Sequence, residues 1–138
     1  MREDRGPQEI IDATRRAVIL AALLEMMRTL SLEYHGASSF GVHADDVILR
    51  AAVFIGQADG RRMNVSKLAE YCGIPRPTAI RKLNAMLKND LLRKDADGLF
   101  YVPVSRANSD SILNMARKLR SIMMVTCEKL HKMDVEPA

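Results

Sequence analysis

The chain has 138 residues, 48% of them hydrophobic, which is enough for one buried core and too few for two ordinary domains. A net charge of +4 permits a nucleic acid or an anionic membrane as partner. The two cysteines and three histidines lack the close spacing of metal-ligating motifs, so we expect a cytoplasmic, reduced protein with no metal and no cofactor.

Two features argue against a membrane protein. The first nine residues have no apolar stretch behind a basic region, so we expect no signal peptide. The apolar run from Ala17 to Leu24 is far shorter than the roughly 20 residues that cross a bilayer. We therefore expect no membrane partner.

Long helices are predicted at both ends of the chain. Pro7 is a plausible first helical residue, and neither Gly nor Pro interrupts the sequence from Gln8 to Tyr34. Its apolar positions cover more than one stripe, so this helix should pack on two sides. Residues 35–44, rich in Gly and Ser, are interpreted as a linker. Residues 105–132 again lack Gly and Pro and carry apolar residues at steps of three and four, which predicts one amphipathic helix.

Between these ends the order helix, helix, turn, helix, hairpin is expected. A helix should begin near Asp45 and stop at Asp59-Gly60, and Asn64 should cap a short helix from Val65 to Cys72. Gly73 allows a tight turn, and the next helix should begin with Pro77 in its first position. Strands at 91–94 and 99–102 are joined by Asp-Ala-Asp-Gly, whose final Asp-Gly pair favours a hairpin.

The charge of the chain is concentrated in this central part. Residues 61–94 hold nine Lys or Arg against two acidic residues. On the helix after Gly73, spacing at 100° per residue predicts one apolar side and an opposite polar side. Such a helix fits a DNA major groove about 12 Å wide.

Eight residues are predicted to contact DNA. Arg81 suits paired bonds to a guanine, Thr78 suits a base edge or a thymine methyl group, and the small Ala85 allows close approach. Lys82 and Lys88 are assigned to phosphates, and Arg76 to either role. On the hairpin, Arg93 and Lys94 are assigned to contacts with the DNA backbone.

The segment KLAEYCGIPRPTAIRKLNAMLKNDLLRKDADG, within Asp45 to Val102, resembles the winged helix-turn-helix transcriptional regulators, most closely the MarR-like dimers. The resemblance implies a dimeric DNA-binding regulator with Arg76, Thr78, Arg81 and Lys82 on its recognition helix. Three departures stand out: Pro75 replaces the usual Ser or Thr cap, Asp90 replaces the usual Gly, and the wing is short with an acidic tip.

The predicted fold is thus mainly α with a small β-hairpin (α+β), a winged helix-turn-helix flanked by long dimerisation helices. Three parts are expected: an N-terminal dimerisation helix with its linker (1–44), a DNA-binding domain (45–104) and a C-terminal dimerisation helix (105–138). The predicted function is a homodimeric, sequence-specific regulator of transcription that binds double-stranded DNA. Whether a small-molecule effector binds is left open, since no set of residues identifies a site for it.

Two other function classes were weighed. A winged-helix module for protein–protein interaction, without sequence-specific DNA binding, is the alternative. An enzyme is not expected, because the chain has no Gly-rich phosphate loop, nucleophile motif or metal-ligand spacing.

Overall fold

The computed structural model describes residues 6–35 and 40–135 of the chain. The helices are α1 (Pro7–His35), α2 (Phe40–Ala58), α3 (Val65–Cys72), α4 (Arg76–Lys88), α5 (Val104–Ala107) and α6 (Asp110–Val135). Strands β1 (Arg93–Lys94) and β2 (Phe100–Tyr101) pair antiparallel, with Arg93 opposite Tyr101. The mainly helical architecture with a small hairpin is therefore confirmed. Among the described residues, none of the helices is both long and apolar enough to cross a membrane.

One apolar core holds α2, α3, α4 and the hairpin together. Its buried members come from each of these elements: Leu49, Ala52, Val53, Leu68, Ala69, Ile74, Ala79, Leu83, Met86, Leu92 and Phe100. A hydrogen bond from the Phe100 N–H to the Met63 carbonyl (3.0 Å) ties the hairpin to the segment before α3. The hairpin is consequently packed on the same core as α3 and α4.

The long helices α1 and α6 pack along each other, and α1 also packs against α2. Several apolar residues of α1, among them Leu20 and Leu24, stay exposed, so the expectation that this helix packs on two sides remains a prediction. An ion pair between Arg15 and Asp134 (3.0 Å) joins α1 to the far end of α6. The inward face of α6 keeps the predicted spacing, with Ile122 as its buried centre. The other members of this face are partly buried: Ile112, Met115, Leu119, Thr126, Leu130 and Met133.

The caps of α3 follow the sequence closely. Asn64 Oδ1 accepts a hydrogen bond from the Lys67 N–H (2.9 Å), which satisfies one of the free donors of the first turn. Gly73 ends the helix in the left-handed conformation (φ +66°), and the Ile74 N–H reaches back to the Ala69 carbonyl (3.0 Å). The predicted turn between α3 and α4 is confirmed.

The starts of two helices were predicted wrongly. Of the predicted linker, His35 is the last residue of α1 and residues 40–44 belong to α2, which begins at Phe40. Residues 36–39 lie outside the described part. A lone Gly41 in a first turn costs only about 1 kcal/mol, which packing on α1 offsets. Helix α4 begins at Arg76, one residue early, because the Pro75 carbonyl accepts the Ala79 N–H (3.0 Å). Pro77 then occupies a first-turn position, where a missing N–H costs nothing.

The predicted C-terminal helix is interrupted. It divides into α5 and α6 at Asn108 and Ser109, and the Ser109 hydroxyl competes with helical hydrogen bonding. Ser109 Oγ accepts from the Ile112 N–H (3.4 Å) and so caps α6. The predicted domain boundaries at 44/45 and 104/105 both fall inside helices, and the division itself stays a prediction.

The strands are shorter than predicted. The Leu91 N–H bonds to the Met86 carbonyl (2.9 Å) and closes the end of α4, while Leu92 is fully buried in the core. These two residues therefore serve the junction with α4, and pairing begins at Arg93.

Candidate nucleic-acid interface

Helix α4 has one buried side and one exposed side. Ala79, Leu83 and Met86 are buried against α2 and α3, as the spacing predicts. On the opposite side Arg81, Ala85 and Lys88 are exposed. The helix thus offers a narrow polar surface, with a small residue at its centre and a cation on either side.

Some cations at this surface already have hydrogen-bond or ion-pair partners within the described part of the chain, and others do not. The Arg76 Nε–H donates to Ser66 Oγ (3.2 Å), and Lys82 Nζ donates to Asp46 Oδ1 (3.0 Å). Within residues 6–35 and 40–135, Arg81 and Lys88 make no side-chain hydrogen bond or ion pair. These two are therefore the cations of α4 that a ligand can engage without breaking an internal contact.

Beside this surface, α2 and α4 border a shallow groove of about 280 Å³. Its charged lining is Asp46 and Arg50 from α2 and Arg81 and Lys82 from α4. Its remaining lining is Ala85, Met86, Asn89 and Leu91. The structure thus brings the predicted Arg81, Lys82 and Ala85 together, and it adds two residues that sequence reasoning missed, Asp46 and Arg50. Their positions one turn apart on α2 were the available signal.

Thr78 is half-buried near the start of α4, closer to the core than the sequence pattern suggested. Arg76 lies at the tip of the helix, exposed and bonded to α3 through Ser66. The first turn of α4 is therefore held against α3, and its side chains are less free than those of the second and third turns.

The hairpin presents its own cations. Arg93 and Lys94 are both exposed on β1, and neither lines the groove. Arg93 Nε donates to Asp90 Oδ1 (3.2 Å), which raises the pKa of the guanidinium further. Lys94 Nζ lies 5.6 Å from the centre of the Phe100 ring. Asp90 itself has φ +54°, a left-handed conformation that favours Gly.

The acidic tip of the hairpin has a structural use. Asp95 Oδ1 accepts hydrogen bonds from the Leu99 N–H (3.0 Å) and the Asp97 N–H (2.9 Å). These bonds, with Leu99 contributing most, and an ion pair with Arg62 (3.3 Å) lower the pKa of the Asp95 carboxyl. One of the two tip carboxylates is therefore bound by two backbone N–H groups of the hairpin and paired with a cation from the segment before α3.

Arg62 is a further residue that sequence reasoning missed. Besides its pairing with Asp95, its guanidinium lies 4.1 Å from the centre of the Tyr101 ring. Such a contact stabilises the hairpin base by cation–π attraction. No local pattern announces it, because Arg62 and Asp95 are 33 positions apart.

The thiols and other metal-binding groups give no second site. Burial raises the pKa of the Cys72 thiol, whose Sγ lies 3.8 Å from the Ile48 carbonyl oxygen. In the described parts of the chain, no group of three or more His, Cys, Asp or Glu is placed to hold a metal ion.

No protein-family model, curated protein or solved structure matches this chain. The candidate interface is therefore defined by the side chains of α4, its flanking groove and the hairpin.

Proposed function

We propose that the protein is a sequence-specific DNA-binding regulator of transcription that acts as a homodimer, with α3 and α4 as its helix-turn-helix. The observation that carries this proposal is the exposed side of α4. It presents Arg81 and Lys88, two cations without a side-chain partner among the described residues, around the small Ala85. Helix α4 is the second helix of the pair joined by the tight turn at Gly73. In a helix-turn-helix the second helix enters the major groove.

The residues divide into base and backbone contacts. Arg81 is long enough and free enough to make two hydrogen bonds to a guanine edge, the commonest specific contact. Lys88 at the end of α4 is suited to a phosphate, which gives affinity without sequence information. Ala85 lets the helix approach the bases closely. Thr78 is half-buried and therefore offers less surface for contact with DNA.

The hairpin is proposed as the wing of a winged helix-turn-helix. Arg93 and Lys94 would contact phosphates beside the site of α4. The internal pairing of Asp95 with Arg62 supports this role, because it removes part of the repulsion between an acidic tip and the DNA backbone.

Exposed apolar surface on the long helices supports a dimer. Isolated exposed apolar residues are ordinary, whereas a contiguous group marks an interaction surface. Along α1 and α6 at least 40% of each of the following side chains is exposed: Ile10, Ile19, Leu20, Leu23, Leu24, Leu113, Met123, Met124 and Val125. Pairing of two copies through these helices would present two α4 helices to successive major grooves, about 34 Å apart.

Selection of bound duplexes from a random DNA pool tests the proposal. A dimer with two equivalent α4 helices should enrich a palindrome whose half-sites are about one helical turn apart. Binding to unselected duplex should weaken steeply with salt, as release of counterions requires. Absence of enrichment above this salt-sensitive background would contradict sequence-specific binding.

The exposed apolar faces also favour a second candidate, a protein-interaction module whose long helices pair with a different subunit. Light scattering on the purified full chain separates the two. A homodimer supports the first proposal, whereas a stable monomer with these faces uncovered supports the second.

A further inference from the structure

The ion pair between Lys82 and Asp46 lies at the edge of the surface that would face DNA. Lys82 is in the middle of α4, next to Arg81, and Asp46 is on α2 across the groove. The two side chains are 17% and 19% exposed and their charged atoms are 3.0 Å apart. A pair this sheltered is screened less by salt than one in open water.

A lysine held in this way is not free to bind a phosphate. To reach DNA, Lys82 Nζ must leave the Asp46 carboxylate, and that carboxylate would then lie beside the polyanion without its lysine. The other charged residue of α2 at this groove is the cation Arg50. The groove thus sets one acidic side chain among three basic ones.

We propose that Asp46 competes with DNA phosphate for Lys82 and so keeps the affinity of the protein for DNA, specific and unspecific alike, below what its cations allow. The inference rests on the proposed DNA-binding function and deepens it, because it names a residue of α2 that sets how strongly the exposed face of α4 binds. Asp46 is a positioning residue: it acts on DNA through Lys82.

The experiment compares D46N with the wild-type chain over a range of salt concentrations, using a duplex of random sequence. Each additional phosphate contact steepens the dependence of log K on log salt by about 0.9, so a dimer that gains two contacts should steepen by about 1.8. The affinity gain of D46N should then shrink roughly tenfold between 50 and 200 mM salt. A D46N slope equal to that of the wild type would overturn the inference.

The matched control is D45N, which removes the same charge from the neighbouring position of α2. If the effect were merely the loss of negative charge near DNA, D45N would change affinity and slope as much as D46N. We expect a much smaller change for D45N, and an equal change would contradict the specific role of Asp46.

Lys82→Met completes the test and remains informative if D46N folds poorly. In the wild-type background this substitution should leave the salt slope almost unchanged, because Lys82 is held by Asp46. In the D46N background it should abolish the gain. A slope that falls by about 1.8 for Lys82→Met alone would show that Lys82 already binds phosphate, against the proposal. If the wild-type chain bound no duplex at any salt concentration, the proposed function itself would fail, a result distinct from all the others.

Discussion

Replacing Arg81 with alanine separates a DNA-reading role from a structural one more sharply than any other change on α4. Arg81 is exposed, and in the described part of the chain its guanidinium has no partner, so the substitution removes no internal contact. The free energy of unfolding should therefore change by no more than about 0.5 kcal/mol. On DNA, a bidentate contact to guanine provides about 1–3 kcal/mol of discrimination, or roughly 5- to 150-fold in affinity, in each half-site.

The assay is fluorescence anisotropy at one fixed salt concentration, with the selected palindrome and with a duplex in which the contacted guanine is replaced. The wild-type chain should distinguish the two duplexes, and Arg81→Ala should bind both equally. Lys88→Ala is the matched control: it also removes an exposed, unpaired cation of α4, and it should weaken binding to both duplexes alike. An Arg81→Ala protein that still discriminated between the duplexes would refute the assignment of Arg81 to a base.

Three further expectations concern the turn, the hairpin and the dimer. Gly73→Ala should lower the free energy of unfolding by about 1–2 kcal/mol in urea titrations, since φ is +66° and no atom crowds a Cβ there; Gly73→Asn should cost less, and equal costs would contradict this cause. Because the folded-state pKa of Asp95 lies below its ordinary 3.8, the carboxylate stabilises the hairpin above pH 3.8 and loses this effect as the pH falls through the lowered value. An NMR titration of the Leu99 amide should have its midpoint below 3.8, and a midpoint at or above it would show that the bonds are absent in solution. Replacing Leu20 and Leu24 together by lysine should shift the light-scattering mass from dimer to monomer with an unchanged helical circular dichroism spectrum, and a persistent dimer would place the interface elsewhere.

The local parts of this fold were predictable because their causes are local. Asn64 caps the start of α3 and Gly73 caps its end, and both caps involve only residues within a few positions. The two sides of α4 follow from helical periodicity, which places Leu83 in the core and Arg81 opposite.

What the sequence did not reveal depends on contacts between distant positions. The pair of Lys82 with Asp46 spans 36 positions, and the bond from Arg106 Nε to the Asp90 carbonyl (2.7 Å) holds α5 near the end of α4. The break between α5 and α6 was missed for another reason. Neither Gly nor Pro marks it, and a Ser such as Ser109 interrupts a helix only where its hydroxyl finds a backbone partner.

The contact of Arg62 with Tyr101 has a practical consequence for spectroscopy. The chain contains no Trp and three Tyr, so tyrosine dominates its intrinsic fluorescence. With Tyr34 and Tyr71 changed to Phe, the remaining emitter would be the ring under the Arg62 guanidinium at the base of the hairpin. Its emission would report the hairpin alone, without an attached dye, and would show in a single titration whether that element responds when a duplex binds.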